Sequence, residues 1–374
     1  VVAAHACRRL RIFSLILPLV TGCGESQKVG VESAASVYAR TDTNATTIYS
    51  PRVRTRLRFG EGAIDATYAL DSWTGASVDI VTAATGAVHE VRQEVNAGAS
   101  YNFSNVSVGG SYRYSTENDY WSHGGVANLS IDMAQHNTTL AFAAFGASDI
   151  VGRAGWASFR RPQRSLGGRA SLTQVLGRNA VGQLSYELTR ITGYQASPYR
   201  FVAIGGQGTC AGSAEFCVPE SHPHERLRHA VGAYERTALG KYVSLGLRYR
   251  FYIDDWQVMS HTMEPDFSFL LGDYGRLSVT YRYYTQGAAY FYLPRYIGEA
   301  SEQRYVTRDR KLSTLYDNQL GLIYEQGFEL GESGGYMLTT GLRASVTRIV
   351  YQAFVGLHQV DVLEASLSLG LDFR

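Results

Sequence analysis

Residues 51–59 read PRVRTRLRF: Arg52, Arg54, Arg56 and Arg58 alternate with Val53, Thr55, Leu57 and Phe59. A period of two is a strand period, because successive side chains leave a β-strand on opposite faces. One face of this segment is wholly cationic and the other mostly apolar. A soluble sandwich accepts such a strand with its arginines in water and its apolar side in a core. A membrane barrel accepts it too, with the arginines in a wet lumen and the apolar side in lipid. The rest of the chain has to choose.

A soluble chain of 374 residues usually splits into two or more domains. No Pro/Ser-rich linker, charge run or low-complexity segment marks a split. Proline is scarce (8), glycine plentiful (39) and tyrosine frequent (26) against 4 tryptophans. That mixture suits many strands and turns rather than helices or disorder. A formal charge of +2 gives no basic footprint for nucleic acid. No apolar run approaches the roughly 20 residues of a spanning helix.

The longest apolar run, Ile12–Val20, has another explanation. Arg8, Arg9 and Arg11 precede it, and Val20-Thr21-Gly22-Cys23 follows. A basic, an apolar and a small-residue segment in that order make a secretory signal over residues 1–22. The cysteine after Thr-Gly resembles a bacterial lipoprotein signal, in which Cys23 carries the lipid. Ordinary cleavage near Ser33-Ala34-Ala35 is the alternative. A short periplasmic segment, 23–30, would then lead into a barrel over 31–374. Removing three arginines changes 35 basic against 33 acidic residues to 32 against 33, so the mature chain is near neutral. Cys7 leaves with the signal. Cys210 and Cys217 remain, close together in a polar stretch, and read as one small disulfide in an oxidising compartment. A metal pair with His222-Pro223-His224 is the rival, but the spacing matches no common zinc pattern. We expect no metal and no cofactor.

Alternating segments recur along the chain: Val31–Arg40, Pro51–Phe59, Ala63–Asp71, Val88–Ser100, Val106–Ser115, Trp121–Ala134, Thr138–Asp149, Ser165–Leu176, Ala180–Ile191, Arg226–Ala238, Tyr242–Asp254, Trp256–Leu271, Arg276–Thr285, Leu312–Gln326, Tyr336–Ile349 and Asp361–Phe373. The connections between them alternate short and long. Gly60–Gly62, Tyr101–Ser104, Gln135–Asn137, Gly177–Asn179, Leu239–Lys241 and Gly272–Gly275 are tight. Trp73–Ala87, Val151–Arg164, Thr192–Glu225 and Gln286–Lys311 are long. Outer-membrane barrels show this asymmetry, whereas a sandwich has no reason to keep one end short. In the closing segment Leu363, Ala365, Leu367, Leu369, Leu371 and Phe373 alternate with Glu364, Ser366, Ser368 and Asp372. Leu245, Leu247, Tyr249 and Phe251 alternate with Ser244, Gly246, Arg248 and Arg250 in the same way. The fold expected is all-β: a transmembrane antiparallel up-and-down β-barrel of about 16 strands (14–18), which pairs every backbone group without leaving an edge.

The charged residues expected to line the lumen are Arg52, Arg54, Arg56, Arg58, Asp65, Asp71, Glu90, Arg92, Glu94, Arg248, Arg250 and Arg282. If a turn at Gly60–Ala63 sets Phe59 against Ile64, Arg58 meets Asp65 and Arg52 meets Asp71. Arg54 and Arg56 would then keep spare charge. An inward lattice of ion pairs is the plain reading of this set, and an anion-selective constriction the sharper one.

The segments RYRFYIDDWQVMSHT (Arg248–Thr262) and YRYYTQGAAYFY (Tyr281–Tyr292) go beyond pattern. They resemble an uncharacterised family of bacterial outer-membrane proteins, the domain of unknown function 3570. DSWTGASVDIVTAAT (71–85), SYELTRITGYQASPYRFV (185–202) and TTIYSPRVR (46–54) look like the same family, so the likeness runs from about residue 31 to the C-terminus. The resemblance implies an outer-membrane barrel and carries over no catalytic residue.

Asp254-Asp255, with Trp256, is expected at the tip of a tight hairpin above the outer rim. There it either binds a divalent cation or bridges lipopolysaccharide, or simply supplies turn chemistry. Ser260 and His261 are strand neighbours on opposite faces, so they cannot meet as nucleophile and base, and no enzyme is expected. Two functions remain: a porin-like channel for small polar or charged solutes, or a loop-plugged barrel serving as an envelope scaffold. The partners expected are outer-membrane lipid, lipopolysaccharide and the outer-membrane assembly machinery, the last from the terminal outward Phe373.

Overall fold

The structure, a computed structural model, describes residues 29–75, 88–206, 210, 217–299, 302–331 and 335–373. Its strands are β1 (Val29–Asp42), β2 (Thr46–Phe59), β3 (Gly62–Gly75), β4 (Val88–Phe103), β5 (Val106–Thr116), β6 (Tyr120–Met133), β7 (Thr138–Gly152), β8 (Arg160–Val175) and β9 (Ala180–Gly193). They continue with β10 (Phe201–Ala203), β11 (Cys217–Pro219), β12 (Glu225–Ala238), β13 (Val243–Asp254), β14 (Met259–Leu271), β15 (Gly275–Gln286), β16 (Leu315–Leu330), β17 (Tyr336–Tyr351) and β18 (Gln359–Phe373). β10 and β11 form a separate ribbon inside one long connection. The other 16 strands form a closed antiparallel barrel.

Each wall strand pairs with its neighbours in sequence, with β9 meeting β12 across the ribbon. The ring closes where β18 pairs with β1, from Val31 opposite Phe373 to Asp42 opposite Val362. Closure satisfies the ladder groups that an edge strand would leave bare. The alternation in sequence becomes two faces. Val53, Leu57, Phe59, Leu363, Leu367 and Leu369 are exposed on the apolar face. The opposite face carries the arginines of β2 and the Glu364, Ser366, Ser368 and Asp372 set of β18.

The segment pattern corresponds strand for strand with the wall, and the ends are adjusted. β1 is longer than its weak pattern suggests. β14 begins at Met259 rather than Trp256, and β16 begins at Leu315, after a single 3-10 turn at Arg310–Leu312. One expectation is corrected. The β2–β3 turn holds only Gly60 and Glu61, so Phe59 lies opposite Gly62 and Leu57 opposite Ile64. Gly60 takes φ 53°, a conformation that costs glycine little. Gly62 leaves room for the Phe59 ring, which a Cβ there would meet at 2.6 Å. The register therefore slides by two residues. The faces survive and the partners change, so Arg56, not Arg58, stands opposite Asp65.

One end of the barrel carries only short turns, and the long connections lie at the other, with short links at 43–45, 117–119 and 255–258 among them. At the long end an apolar cluster of Trp256, Val258, Phe291, Tyr292, Leu312, Tyr351, Phe354 and Val360 ties loops to wall. A smaller cluster joins Val202 and Ile204 to Tyr296 and Val306.

If the apolar face meets hydrocarbon, position along the strand sets the cost of a charge there. Leu367 sits near the middle of β18 and is 64% exposed. Leu367→Arg should destabilise the barrel in phospholipid vesicles by about 2–4 kcal/mol. Leu363→Arg, four residues nearer the strand end, should cost less. Denaturant unfolding from vesicles measures both, and equal costs would contradict a membrane midplane at Leu367.

Candidate functional site

The polar face is a lattice of ion pairs built from strand register. Arg54 Nη2 donates to Asp65 Oδ1 at 2.9 Å, and Arg56 Nη1 approaches the same oxygen at 3.7 Å. Arg58 reaches across β1, past Gly30, to bond Asp372 on β18. Arg92 holds Asp71 through Nε at 3.0 Å and Nη2 at 2.6 Å. Arg113 approaches Glu94 at 3.4 Å. On the other side of the ring Arg248 pairs with Glu264 at 3.0 Å, while Arg282 lies 3.6 Å from Glu264 and 3.2 Å from Asp317. The predicted partners Arg58–Asp65 and Arg52–Asp71 do not form. Among the described residues Arg52 and Arg250 make no ion pair. Spare charge thus sits at Arg52, and also at Arg54 and Arg56, which share the single Asp65 carboxylate.

Buried Glu90 accepts from Asn118 at 3.4 Å and comes within 4.8 Å of Glu117 and Asp119 in the β5–β6 turn. Burial pushes the Glu117 carboxyl up, with nearby Glu90, Asp119 and Asp71 adding to it against Arg92; burial likewise raises Asp119.

At the long-loop end the connection 194–224 packs against the connection 287–314 through a backbone bridge between Ser221 and Val306, the small apolar cluster around Val202 and Tyr296, and one buried carboxylate. Glu220 Oε1 accepts from Thr307 Oγ1 at 2.7 Å and Arg308 N at 2.9 Å, and Oε2 accepts from Ser197 N at 2.8 Å. Arg200 bridges Glu220 at 3.5 Å and Asp309 at 3.1 Å. Arg308 Nη2 donates to Val355 O at 2.5 Å and Tyr292 OH to Ala353 O at 2.9 Å, which adds the connection 352–358. Buried His222 donates from Nδ1 to Gln195 O at 3.0 Å and lies against Trp256 and Phe291.

Beneath these loops lies a cavity of about 560 Å³, walled by β12–β15 and roofed by His222, Asp309 and Lys311. Arg226 in its wall bonds Asp254 Oδ2 through Nε at 2.8 Å and stacks its guanidinium 4.2 Å from the Trp256 ring. Arg228, Arg250, Tyr252 and Tyr284 also line it.

The rim hairpin is not where its sequence suggests. Asp254 and Trp256 are buried rather than standing above the rim. Asp254 Oδ1 accepts from Val258 N at 3.0 Å, which is turn chemistry, and its other oxygen is taken by Arg226 and Tyr252. Asp255 alone is exposed. Ser260 is buried on the polar face, while His261 on the apolar face meets Tyr249 OH at 2.7 Å. Cys210 and Cys217 form the disulfide, with Cα atoms 5.8 Å apart. Cys23, the signal segment and residues 76–87 lie outside the described residues. Sequence pattern did not single out Arg228, Lys311, Glu220 or Arg200. The one local hint was the SYELTRITGYQASPYRFV motif, which contains Arg200.

Residues 84–165 and 153–343, more than half the chain, match the family model described as "Protein of unknown function (DUF3570)". The chain belongs to this family. No curated protein matches the DUF3570 sequence. Among solved structures, "Bacterial polysaccharide outer membrane secretin" is similar at 9% identity and TM-score 0.50, over 92% of this chain and 98% of that one. OprD from Pseudomonas aeruginosa shares 8% identity at TM-score 0.47, over 93% and 98%. Identities this low speak for the fold alone. A closed 16-strand barrel with an apolar exterior places this DUF3570 member in the bacterial outer membrane.

Burial would raise the Glu220 carboxyl, but His222, Arg200 and the Ser197 amide outweigh it and hold it down from 4.5 to about 2. The stabilisation that Glu220 gives the loops is therefore complete above its unfolded value and lost as pH falls through the lower folded one. Limited proteolysis within 287–314 should stay slow at pH 4 and accelerate only in stronger acid. Glu220→Ala removes one partner of a buried charged network, which costs about 3–5 kcal/mol, and should expose the same sites at pH 7. Unchanged protection in that variant would remove Glu220 from its role as the tie.

Proposed function

We propose that the protein is a porin-like channel through which small polar or charged solutes diffuse. The observation that carries this reading is the division of the wall into two chemistries. Ion-paired, hydroxyl and glycine positions share the face opposite the exposed apolar side chains. In a closed barrel set in lipid, that opposite face is the enclosed one. A ring of 16 strands is wide enough to hold water unless loops fill it. Arg52, Arg54, Arg56, Arg58, Arg248, Arg250 and Arg282 then set the lumen potential against Asp65, Asp71, Glu90 and Glu94, with Arg92 neutralising Asp71.

The second reading is a barrel plugged by its loops that acts as a scaffold. The buried Glu220 tie between connections 194–224 and 287–314 favours it. On either reading the outward Phe373 at the C-terminal strand is the group offered to the assembly machinery, and membrane lipid is the standing partner. Exposed Asp255, not Asp254, is the carboxylate of this hairpin left to share a divalent cation with the phosphates of lipopolysaccharide.

Purified protein in a planar bilayer separates the two. Stable conductance steps are expected of the channel, and folded protein that stays silent overturns it. Glu264→Gln leaves Arg248 without its carboxylate and Arg282 with only Asp317. Under a potassium chloride gradient the reversal potential should shift toward the chloride value.

A further inference from the structure

We propose that the cavity beneath the loop cover binds a small solute carrying two or more oxyanion groups, such as a polycarboxylate or a phosphate ester. This inference rests on the channel reading for the solute's route, but the site itself stands on its own charge count. Four cations line the cavity: Arg226, Arg228, Arg250 and Lys311. Arg226 is neutralised by Asp254 at 2.5 Å. The lining carboxylate, Asp309, is already held by Arg200 at 3.1 Å. Among the described residues neither Arg228, Arg250 nor Lys311 forms an ion pair, Asp254 and Asp255 act on Arg228 only from a distance, and the Arg228 Nε is buried without an acceptor.

Elsewhere on this face most wall arginines find an acid, so three cations without an ion pair around one cavity depart from the pattern. Like charges converging in a partly desolvated chamber repel one another, and an anion between them relieves that. Spacing sets the class of anion. Arg228 stands opposite Asp254 on the adjacent strand, four residues above Arg250. At a strand rise of about 3.3 Å per residue that offset is about 13 Å. Lys311 approaches from the roof. With two arginines at different heights of the wall and Lys311 at the roof, a solute with several anionic groups can engage more of these cations at once than a monoanion can. A cavity of about 560 Å³ is of the size that holds a small molecule.

Calorimetric titration of the folded barrel in detergent at low salt tests this with citrate and inorganic phosphate as probes, acetate as the monoanion and glucose as the neutral control. Citrate is expected to bind saturably with one site, at least tenfold more tightly than acetate, and glucose not at all. Arg228→Gln, Arg250→Gln and Lys311→Gln should each weaken citrate at least tenfold, while Lys241→Gln at the short-turn end should not. Heat-modifiable gel mobility verifies folding. Should an arginine variant fail to fold, Lys311→Gln, whose side chain lies outside the wall, carries the test. Citrate binding of undiminished strength in the folded variants, or its absence in the parent protein, overturns the site. The same preparation in a bilayer keeps the two proposals apart. Current without citrate binding removes the site and leaves the channel, whereas binding without current removes the channel and leaves the site.

Discussion

Hydrocarbon offers no hydrogen-bond partner, so each peptide group that crosses it must find one in the protein. Everything else in this chain follows from meeting that demand with strands. A sheet that stops has an edge, and an edge in lipid leaves amides unpaired at several kcal/mol each. The pairing of β1 with β18 removes the edge. It also explains β1 itself. Its sequence is rich in small residues and poor in pattern, yet it holds 14 residues in register because β2 and β18 impose the ladder from both sides.

Closure forces the second constraint. Half of every strand now faces an enclosed space, and charges there cannot spread into bulk water as freely as on an open surface. The wall answers with pairs, both directly opposite, as Arg92 with Asp71, and reaching over an intervening strand, as Arg58 with Asp372. Each such pair contributes about 0.2–1 kcal/mol. Their collective effect is to leave few residual charges, so the residues that do remain unpaired matter more than the many that are paired.

The wall was legible in the sequence because its rule is local. A period of two identifies the strand and the face at once, and Arg52 to Arg58 declare both. Register is less local. A turn of two residues and a turn of four preserve the same faces, so nothing in PRVRTRLRF tells Arg56 from Arg58 as the residue opposite Asp65. What decides it is whether Gly60 and Gly62 are used for a tight turn. The long connections were legible, but the contacts that knit them into a cover were not. Glu220 meets Thr307 across 87 positions with no periodicity to announce it. Asp254 and Trp256 looked like an exposed tip because their burial depends on Arg226 and on loop residues far away in sequence.

These contacts also distribute charge unevenly around the ring. Glu90, Glu117 and Asp119 gather at β4–β6, whereas Arg228 and Arg250 stand on β12–β13, beginning four strands further round the wall from β6. Neither group is near enough to neutralise the other. The two sides of the polar face therefore differ in charge at the long-loop end, acidic at β4–β6 and basic at β12–β13. Burial raises the Glu117 and Asp119 carboxyls, so as pH falls this acidic group loses charge ahead of ordinary carboxylates while the guanidinium groups across the ring stay charged.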